Sequence, residues 1–286
     1  MSGGGVGLDL QGAAALVVAR GTALGRPMHL LASTTSSNDE AKRAARGGAR
    51  SGAPHGATWV TEEQTAGRGR QGRTWWAPPG ESLLFSVLLR EAPPPSRLPQ
   101  VALVAGLAVH DAVTRAAPGA DVKIKWPNDV VVAGKKVAGV LVEAITTGAR
   151  VDAVVVGIGI NVHTRSFPGP IAERATSVVV IAGAGERPPD RAQILADALA
   201  SLDRDLPFVV ARGLVPLRGR LDAADGLRGL RVRTDGAEAV AGSFAGANEG
   251  VAEGIDEDGR LMVRRGDGVL DRWVAGEVHL VGGGSS

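Results

Sequence analysis

The 286-residue chain contains no cysteine and no tyrosine. Without a thiol it cannot form disulfides, use a cysteine nucleophile or bind zinc or an iron–sulfur cluster through cysteine. Because tyrosine is missing too, few groups titrate between histidine and lysine, and a net charge of only +2 raises the pI to about 9.4. The basic pI therefore does not by itself indicate a nucleic-acid-binding protein.

Long apolar runs are also absent. The most apolar stretch near the amino terminus, residues 13–19, is short and follows no basic residue, unlike a secretory signal peptide. No segment reaches the roughly 18 uninterrupted apolar residues of a membrane span. We therefore expect a soluble, cytoplasmic protein whose Gly/Ser-rich ends, residues 1–5 and 282–286, are disordered.

Charge is distributed unevenly along the chain. Residues 221–286 carry 7 Arg against 12 Asp plus Glu, a net charge of −5, which leaves +7 on residues 1–220. An anionic ligand should therefore bind to the first part of the chain.

The apolar patterning predicts a mixed α/β part followed by an all-β part. Strands are predicted over residues 29–33, 57–63, 82–90, 122–125, 137–145 and 151–160, and helices after Asn38 and over residues 98–116 and 189–206. The side chains of Ser36, Ser37 and Asn38 are expected to cap the first of these helices. Four short strands punctuated by glycine after about residue 228 predict a small β-barrel.

A Gly/Arg-rich loop, QTAGRGRQGRTWW at residues 64–76, is the strongest candidate for a ligand site. It contains the pattern G-x-G-x-x-G, which in dinucleotide-binding folds opens a helix. Here the next predicted element is a strand, so no helix amino terminus is available for a pyrophosphate. We therefore reject the dinucleotide-binding interpretation.

The loop carries Arg68, Arg70 and Arg73 and no acidic residue. Arginine binds carboxylate or phosphate in a bidentate manner, and the adjacent Trp75 or Trp76 can stack on a ring. A solvated surface loop is the alternative, but two of only nine aromatic residues lie beside the three arginines. Because like charges repel, we expect this loop to become ordered when an anionic ligand binds.

Lysine is scarce and clustered. Only five of the 32 basic residues are lysine, and Lys123, Lys125, Lys135 and Lys136 fall within 14 positions. The compact ammonium group suits a phosphoryl oxygen in a confined space, whereas an exposed basic hairpin is the alternative. Because side chains alternate along a strand, only one of Lys135 and Lys136 can face a site.

Polar groups also occur where predicted strands end. Asn128 and Asp129 lie in KWPND, and Asp129 could hold Mg²⁺ beside nucleotide phosphates, although a simple polar turn is equally compatible with this pair. Asn161 ends GIGIN, whose glycines would let the backbone approach a ligand. The five histidines lack metal-ligand spacing, and no G-x-S-x-G or P-loop motif occurs, which argues against a hydrolase triad or a P-loop ATPase.

Four motifs in this order and spacing resemble the biotin protein ligase (biotin–acetyl-CoA-carboxylase ligase) family: GRGRQGRTW (67–75), KWPND (125–129), KVAGVLVE (136–143) and GIGIN (157–161). The resemblance implies a disordered or irregular segment over 1–28 and a mixed α/β catalytic domain of the class II aminoacyl-tRNA synthetase type over 29–227. An SH3-like β-barrel over 228–281 and a flexible tail over 282–286 would follow. Too few patterned residues precede His29 for the helix-turn-helix of repressor-type members.

Site residues follow from the same resemblance. It assigns biotin contacts to Ser36, Ser37, Asn38, Gln64, Arg68, Gly69, Arg70 and Lys136. It assigns ATP or adenylate contacts to Gly67, Arg68, Arg70, Arg73, Trp75, Lys125, Asn128, Asp129 and Asn161, with Lys136 and Arg70 as catalytic residues and Asp129 as a ligand of Mg²⁺. The family often has a basic residue just after the strand that carries Gly276-Glu277-Val278, whereas this chain has Val281 there, which leaves open whether the barrel contacts ATP.

The implied activity is ATP-dependent formation of biotinoyl-5′-AMP, followed by transfer of biotin to a lysine of a biotin carboxyl carrier protein. No DNA or membrane partner is expected, and the sequence does not distinguish a monomer from a homodimer. The alternatives are a lipoate ligase of the same superfamily, a non-catalytic biotin or adenylate sensor, and a single-strand nucleic-acid-binding protein. The acidic carboxyl-terminal part of the chain argues against the last of these.

Overall fold

The computed structural model describes residues 7, 9–46, 52–91, 93–148, 150–183, 188–239 and 249–281. The ends predicted to be disordered, 1–5 and 282–286, lie outside these residues. Within the described chain, no helix combines the length and the apolar character needed to cross a membrane.

A seven-stranded mixed sheet forms the first domain, in the order β1-β2-β3-β7-β6-β5-β4. Its strands are β1 (Met28–Leu31), β2 (Thr58–Thr61), β3 (Ser82–Leu89), β4 (Val122–Lys125), β5 (Asp129–Val132), β6 (Lys135–Thr147) and β7 (Arg150–Asn161). β1 and β2 are parallel, and the other neighbours are antiparallel. The predicted mixed α/β domain is thereby confirmed.

The described helices are α1 (Ala13–Ala19), α2 (Ser37–Ala45), α3 (Leu98–Ala116), α4 (Gly169–Ala172), α5 (Val178–Ile181), α6 (Arg191–Arg212) and α7 (Arg218–Ala224). The long helices α3 and α6 pack together over one face of the sheet, and α2 packs on the other face against β2, β3 and β7. Because both faces are covered, all eight residues of β3 are buried. This explains why the β3 sequence is a nearly continuous apolar run rather than an alternating one.

The amino-terminal segment corrects one expectation, because residues 1–28 were predicted to be disordered or irregular. Helix α1 instead packs against α6, with Val17 fully buried. Preceding it, Asp9 forms a bidentate ion pair with the buried Arg191, which also pairs with Glu62 at the end of β2. The sequence did not reveal this packing because the partners of the segment lie about 180 residues further along the chain.

The second domain confirms the predicted small β-barrel: it is closed and has four strands, in the order β10-β11-β8-β9. Its strands are β8 (Arg231–Ala239), β9 (Glu249–Ile255), β10 (Leu261–Arg264) and β11 (Leu270–Leu280). Trp273 is buried in its core. The buried indole of Trp126 donates a hydrogen bond to the carbonyl of Gly259 (2.9 Å), which joins the barrel to the first domain.

Candidate ligand-binding and active site

A cavity of about 380 Å³ lies between the sheet, the Gly/Arg-rich loop and the barrel. Fourteen of the predicted site residues line it: Ser36, Ser37, Asn38, Gln64, Arg68, Gly69, Arg70, Arg73, Trp75, Lys125, Asn128, Asp129, Lys136 and Asn161. Its size is within the usual range for small-molecule sites. The sequence motifs that lie up to 125 residues apart are thus brought to one place.

Gly67 is the exception among the predicted residues. It belongs to the loop but is buried and does not line the cavity, and a Cβ at this position would lie 2.8 Å from the backbone oxygen of Trp75. Gly67 therefore allows the close packing of the loop, and its predicted contact with the nucleotide stays a prediction.

The floor of the cavity consists of glycines on adjacent strands. Gly139 of β6 pairs with Gly159 of β7, and Leu141 pairs with Gly157. A Cβ at position 159 would lie 2.6 Å from the indole of Trp75, and one at position 157 would lie 2.2 Å from Oδ1 of Asn38. The absence of a side chain at Gly157 and Gly159 was predicted to let a ligand approach the backbone. It also leaves room for the side chains of Asn38 and Trp75, which line the cavity.

The first turn of α2 supplies the polar end of the cavity. Ser36 occupies the N-cap position, but its side chain makes no capping hydrogen bond. The buried Ser37 and Asn38 face the sheet, where Ser37 contacts the Gln64 side chain and both contact Ser86 of β3. The predicted capping role is therefore wrong: Ser36 makes no capping bond, and Ser37 and Asn38 lie inside the helix, where their side chains contact Gln64 and Ser86 instead.

Glu143 of β6 links this polar end to a charged cluster. Its carboxylate accepts hydrogen bonds from Asn38 (2.6 Å) and Lys42 (2.8 Å), and Arg68 lies 3.4 Å away. Arg68 also binds Asp39 with two hydrogen bonds of 2.7 Å. The hydrogen bond from Arg68, together with Lys42, lowers the pKa of Asp39 to about 2 despite partial burial. Asp39 and Glu143 therefore remain ionised near neutral pH.

Each arginine of the loop has its own partner on a different element. Arg68 binds Asp39 of α2, Arg70 donates to the Asn128 side chain before β5 (3.1 Å), and Arg73 pairs with Glu277 of the barrel (2.7 Å). The loop also pairs with itself, because the backbone nitrogen of Trp75 donates to the oxygen of Gly67 (3.0 Å). The expectation that repulsion keeps this loop disordered overlooked acidic and amide partners from three distant segments.

Lys136 faces the cavity, whereas the neighbouring Lys135 is exposed and does not line it, as strand alternation predicted. The Lys136 ammonium lies 2.7 Å from the carboxylate of Asp129 and 5.4 Å from the centre of the Trp75 indole. Its backbone is also held, because its nitrogen donates to Arg174 (2.7 Å) and its oxygen accepts from Thr176 (2.9 Å). The charged end of this side chain is thereby directed toward the ligand space.

Lys125 of β4 and Asp129 of β5 lie opposite each other in the sheet. Burial lowers the pKa of Lys125 below its ordinary value, an effect that the nearby carboxylates of Asp129 and Glu277 partly offset. Burial likewise lowers the pKa of the Arg70 guanidinium. The amide of Asn161 donates to the backbone oxygen of Thr176 (3.0 Å), which fixes this side chain in the wall.

Several lining residues were not predicted from the sequence. Phe167 and Ile171 form an apolar wall together with Trp76, the residue that the sequence already offered for stacking on a ring; the ring centres of Trp76 and Phe167 lie 5.9 Å apart. Glu277 and His279 of β11 complete the cavity from the barrel. Period-two alternation along the last strand places these two on one face, which was the available sequence signal.

The lining is strongly cationic. Among the residues that the structure describes, it contains six Lys or Arg side chains (Arg68, Arg70, Arg73, Lys125, Lys136 and Arg174) and two carboxylates, Asp129 and Glu277. Apart from Arg174, which follows α4, these charged residues lie on the loop, on β4–β6 and on the barrel. Beside Arg68, the polar end of the cavity is lined by the neutral amides and hydroxyls of Ser36, Ser37, Asn38 and Gln64. The cavity can therefore hold a ligand with a neutral polar head and a second, anionic one.

Comparisons with known proteins agree with this geometry. Residues 33–161 match the model of the biotin/lipoate A/B protein ligase family, and residues 245–281 match the biotin protein ligase C terminal domain. The chain is 36% identical over 240 residues to a biotin--[acetyl-CoA-carboxylase] ligase of Paracoccus denitrificans, covering 82% of this chain and 93% of that protein. It is similar in structure to a biotin protein ligase of Aquifex aeolicus in complex with biotin and ATP, with a TM-score of 0.72, 29% identity and coverage of 89% and 98%.

Another relative is longer than the region it shares with this chain. The bifunctional ligase/repressor of Bacillus subtilis is 34% identical over 225 residues, which is 77% of this chain but only 65% of that protein.

Proposed function

The chain belongs to the biotin protein ligase family, and from this membership we propose that it is an ATP-dependent biotin–protein ligase. The proposed reaction activates biotin as biotinoyl-5′-AMP and then transfers biotin to a lysine of a cytoplasmic biotin carboxyl carrier domain. The observation that carries the proposal is a single cavity with a neutral polar end and a cationic end, with Lys136 on its wall beside the cationic residues.

In the first step, we propose that a biotin carboxylate oxygen attacks the α-phosphorus of ATP and that pyrophosphate leaves. Two anions must approach each other, so the Lys136 ammonium and the Arg70 guanidinium reduce their repulsion and stabilise the charge that develops on the phosphoryl oxygens. Asp129, 2.7 Å from the Lys136 ammonium, holds the charged end of this side chain in the cavity before the substrates bind.

In the proposed arrangement, biotin takes the polar end and ATP the cationic end. The residues that would contact biotin are Ser36, Ser37, Asn38, Gln64, Arg68, Gly69, Arg70 and Lys136. Those that would contact ATP or the adenylate are Arg68, Arg70, Arg73, Trp75, Lys125, Asn128, Asp129 and Asn161. The Trp76–Phe167 wall offers an apolar surface for a ring.

In the second step, the amine of the carrier lysine attacks the acyl carbon of the mixed anhydride, and AMP leaves. The nucleophile belongs to the carrier, so no serine or cysteine of this chain is needed. A mixed anhydride hydrolyses in open water, and the loop over the cavity protects it. The contacts of Arg68, Arg70 and Arg73 with three other elements hold the loop in that position.

Magnesium is proposed to accompany ATP. Among the residues that the structure describes, no group of three or more potential metal ligands occurs. This part of the chain therefore offers no site that would hold a metal ion by protein side chains alone. Mg²⁺ commonly binds one or two carboxylates together with substrate phosphates, and Asp129 in the cationic end fits that donor set. The ion would supply charge neutralisation at the phosphates.

The test is transfer to a defined acceptor. The purified chain is incubated with MgATP and a biotin carboxyl carrier domain, with either biotin or lipoate, and the carrier is analysed by intact-mass spectrometry. We expect one biotin per carrier on its acceptor lysine and no lipoylation. A lipoylated carrier would instead support the lipoate ligase alternative, and an unmodified carrier in every mixture would contradict the proposal.

A further inference from the structure

The Gly/Arg-rich loop lies within the connection between β2 and β3, and the two ends of this connection meet. The backbone nitrogen of Gly80 donates to the backbone oxygen of Glu62 (3.0 Å). Glu62 directly follows β2, and Ser82 is the first residue of β3. The placement of these residues therefore determines where the loop leaves the sheet and where it returns.

A single buried guanidinium, that of Arg191 at the start of α6, joins the two ends through its side chain. Its Nη1 donates to Oε2 of Glu62 (2.6 Å) and to the backbone oxygen of Ser82 (3.2 Å). Its Nη2 donates to Oε1 of Glu62 (3.1 Å) and to Oδ1 of Asp9 (2.6 Å), and its Nε donates to Oδ2 of Asp9 (2.7 Å). All five N–H groups of the side chain thus have an acceptor, which fixes its orientation.

The amino-terminal segment, which precedes the part of the chain that matches the ligase family, completes this cluster. The backbone nitrogen of Gly7 donates to Oε1 of Glu62 (2.6 Å). A Cβ at position 7 would lie 2.6 Å from Nη2 of Arg191 and 2.9 Å from Oε1 of Glu62. The backbone can therefore approach the ion pair this closely because the residue is glycine.

The cluster depends on Asp9 for its balance of charge and hydrogen bonds. Burial opposes ionisation of Arg191, but its hydrogen bonds to Asp9 and Glu62 raise its pKa above the ordinary value. The hydrogen bonds from Arg191 in turn lower the pKa of Asp9. Without Asp9, two of the five N–H groups would lose their acceptor at a buried position, so the guanidinium would have to turn away from its other partners to find water.

We infer that Arg191 is a positioning residue for the Gly/Arg-rich loop, and that Gly7 and Asp9 hold its guanidinium against both ends of the connection that carries the loop. The amino-terminal segment thereby keeps the loop over the cavity, although none of these three residues lines the cavity itself. The inference rests on the proposed function for what the loop protects, namely the mixed anhydride.

The experiment is limited digestion of the complete chain with trypsin, in the absence of ligands and followed by mass spectrometry. Trypsin cleaves after arginine, so it reports directly on the accessibility of three loop positions, Arg68, Arg70 and Arg73. The rate of AMP release with biotin and MgATP but without a carrier is the second readout, because an adenylate under an open loop is hydrolysed. Thermal melting reports on folding of each variant.

Two variants are each compared with a control in the same segment. Asp9→Ala removes the bidentate partner of Arg191. Its control is Asp203→Ala, because the Asp203 carboxylate of α6 accepts from the backbone nitrogens of Ala23 (3.1 Å) and Leu24 (3.3 Å) and so holds the segment away from the loop.

The second variant, Gly7→Ala, keeps every charge and introduces only the Cβ that meets the ion pair. Its control is Gly12→Ala, because a Cβ at position 12 meets no atom within 4 Å. This pair of variants decides the question if Asp9→Ala does not fold.

We expect cleavage in the loop to be about tenfold faster or more in Asp9→Ala and Gly7→Ala, because the ends of the loop open without global unfolding. AMP release should be about fivefold faster or more in the same two variants. Both rates in Asp203→Ala and Gly12→Ala should stay within about threefold of those of the unmodified chain.

The outcomes separate the inference from the proposed function. Equal acceleration of loop cleavage in a variant and its control would show that the segment only stabilises the domain as a whole, which overturns the inference. Unchanged cleavage in a folded Asp9→Ala or Gly7→Ala chain would overturn it as well. If the unmodified chain forms no adenylate, the proposed function is contradicted, whereas the cleavage rates still decide whether these residues position the loop.

Discussion

Lys135 and Lys136 are adjacent in the sequence, yet only Lys136 lines the cavity and pairs with Asp129. We expect Lys136→Ala to lower the rate of adenylate formation by about 10²- to 10³-fold, because it removes a charge directed at the reacting phosphoryl group. Lys135→Ala should leave the rate within about twofold, because an exposed side chain contributes little. Single-turnover kinetics with biotin and MgATP measure both rates, and equal losses would contradict the placement.

Lys125 gives a prediction about pH. Burial lowers its pKa below the ordinary lysine value, and phosphates bind the protonated form. ATP affinity should therefore fall as pH rises through this lowered pKa, at pH values where an ordinary lysine is still protonated. Lys125→Met should bind ATP more weakly at neutral pH and lose this part of the pH dependence. Titrations of ATP binding to both chains from pH 7 to pH 10 test this. Parallel pH profiles for the unmodified chain and Lys125→Met would show that Lys125 does not cause this pH dependence.

At the scale of the element, the paired glycines of β6 and β7 determine where Trp75 lies. An alanine Cβ at position 159 would lie 2.6 Å from the indole, so Gly159→Ala must displace Trp75 or the strand. We expect a loss of about 1–3 kcal/mol in the free energy of unfolding and weaker ligand binding. Gly169→Ala is the matched control, because a Cβ there meets no atom within 4 Å. Similar urea denaturation midpoints for the two variants would contradict this account.

The elements themselves were largely predictable from the sequence. Helix α3 begins and ends where its periodicity indicated, at Leu98 and Ala116, because its buried face is regular and its one proline, Pro99, lies in the first turn, where proline is tolerated. Helix α6 instead continues past the predicted end at residue 206 to Arg212, with Pro207 inside it, because the buried Val209 extends its apolar face. Local propensity did not reveal this extension, which depends on packing with the rest of the fold.

The site was predictable where a residue belongs to a motif. Ser86 was missed because it occurs within an apolar strand, where a serine looks like a tolerated small residue. Glu143 was recognised only as part of a motif, and its partners Asn38 and Lys42 come from a helix about 100 residues earlier. Glu277 belongs to the acidic carboxyl-terminal part, whereas an anionic ligand was expected to bind to the first part of the chain. These contacts depend on tertiary placement, which a single sequence does not encode in its local pattern.

At the scale of the whole molecule, buried Arg191 connects the amino-terminal segment to the end of β2 through Asp9 and Glu62. Arg191→Met should lower the free energy of unfolding by about 3 kcal/mol, because it leaves two carboxylates without their partner, one of them buried. Arg150→Met removes the exposed ion pair with Asp152 and should cost less than about 1 kcal/mol. Chemical denaturation of both variants tests whether the segment is an integral part of the domain.

Coupling of the two ligands in one cavity is the central claim, and exchange of labelled pyrophosphate into ATP tests it most directly. This exchange needs no carrier protein, because it reports the reversible first step alone. We predict biotin-dependent exchange with MgATP, no exchange without biotin or with lipoate in its place, and near-complete loss in Lys136→Ala. Exchange that proceeds without biotin, or a chain that binds both biotin and ATP yet shows no exchange, would contradict the claim.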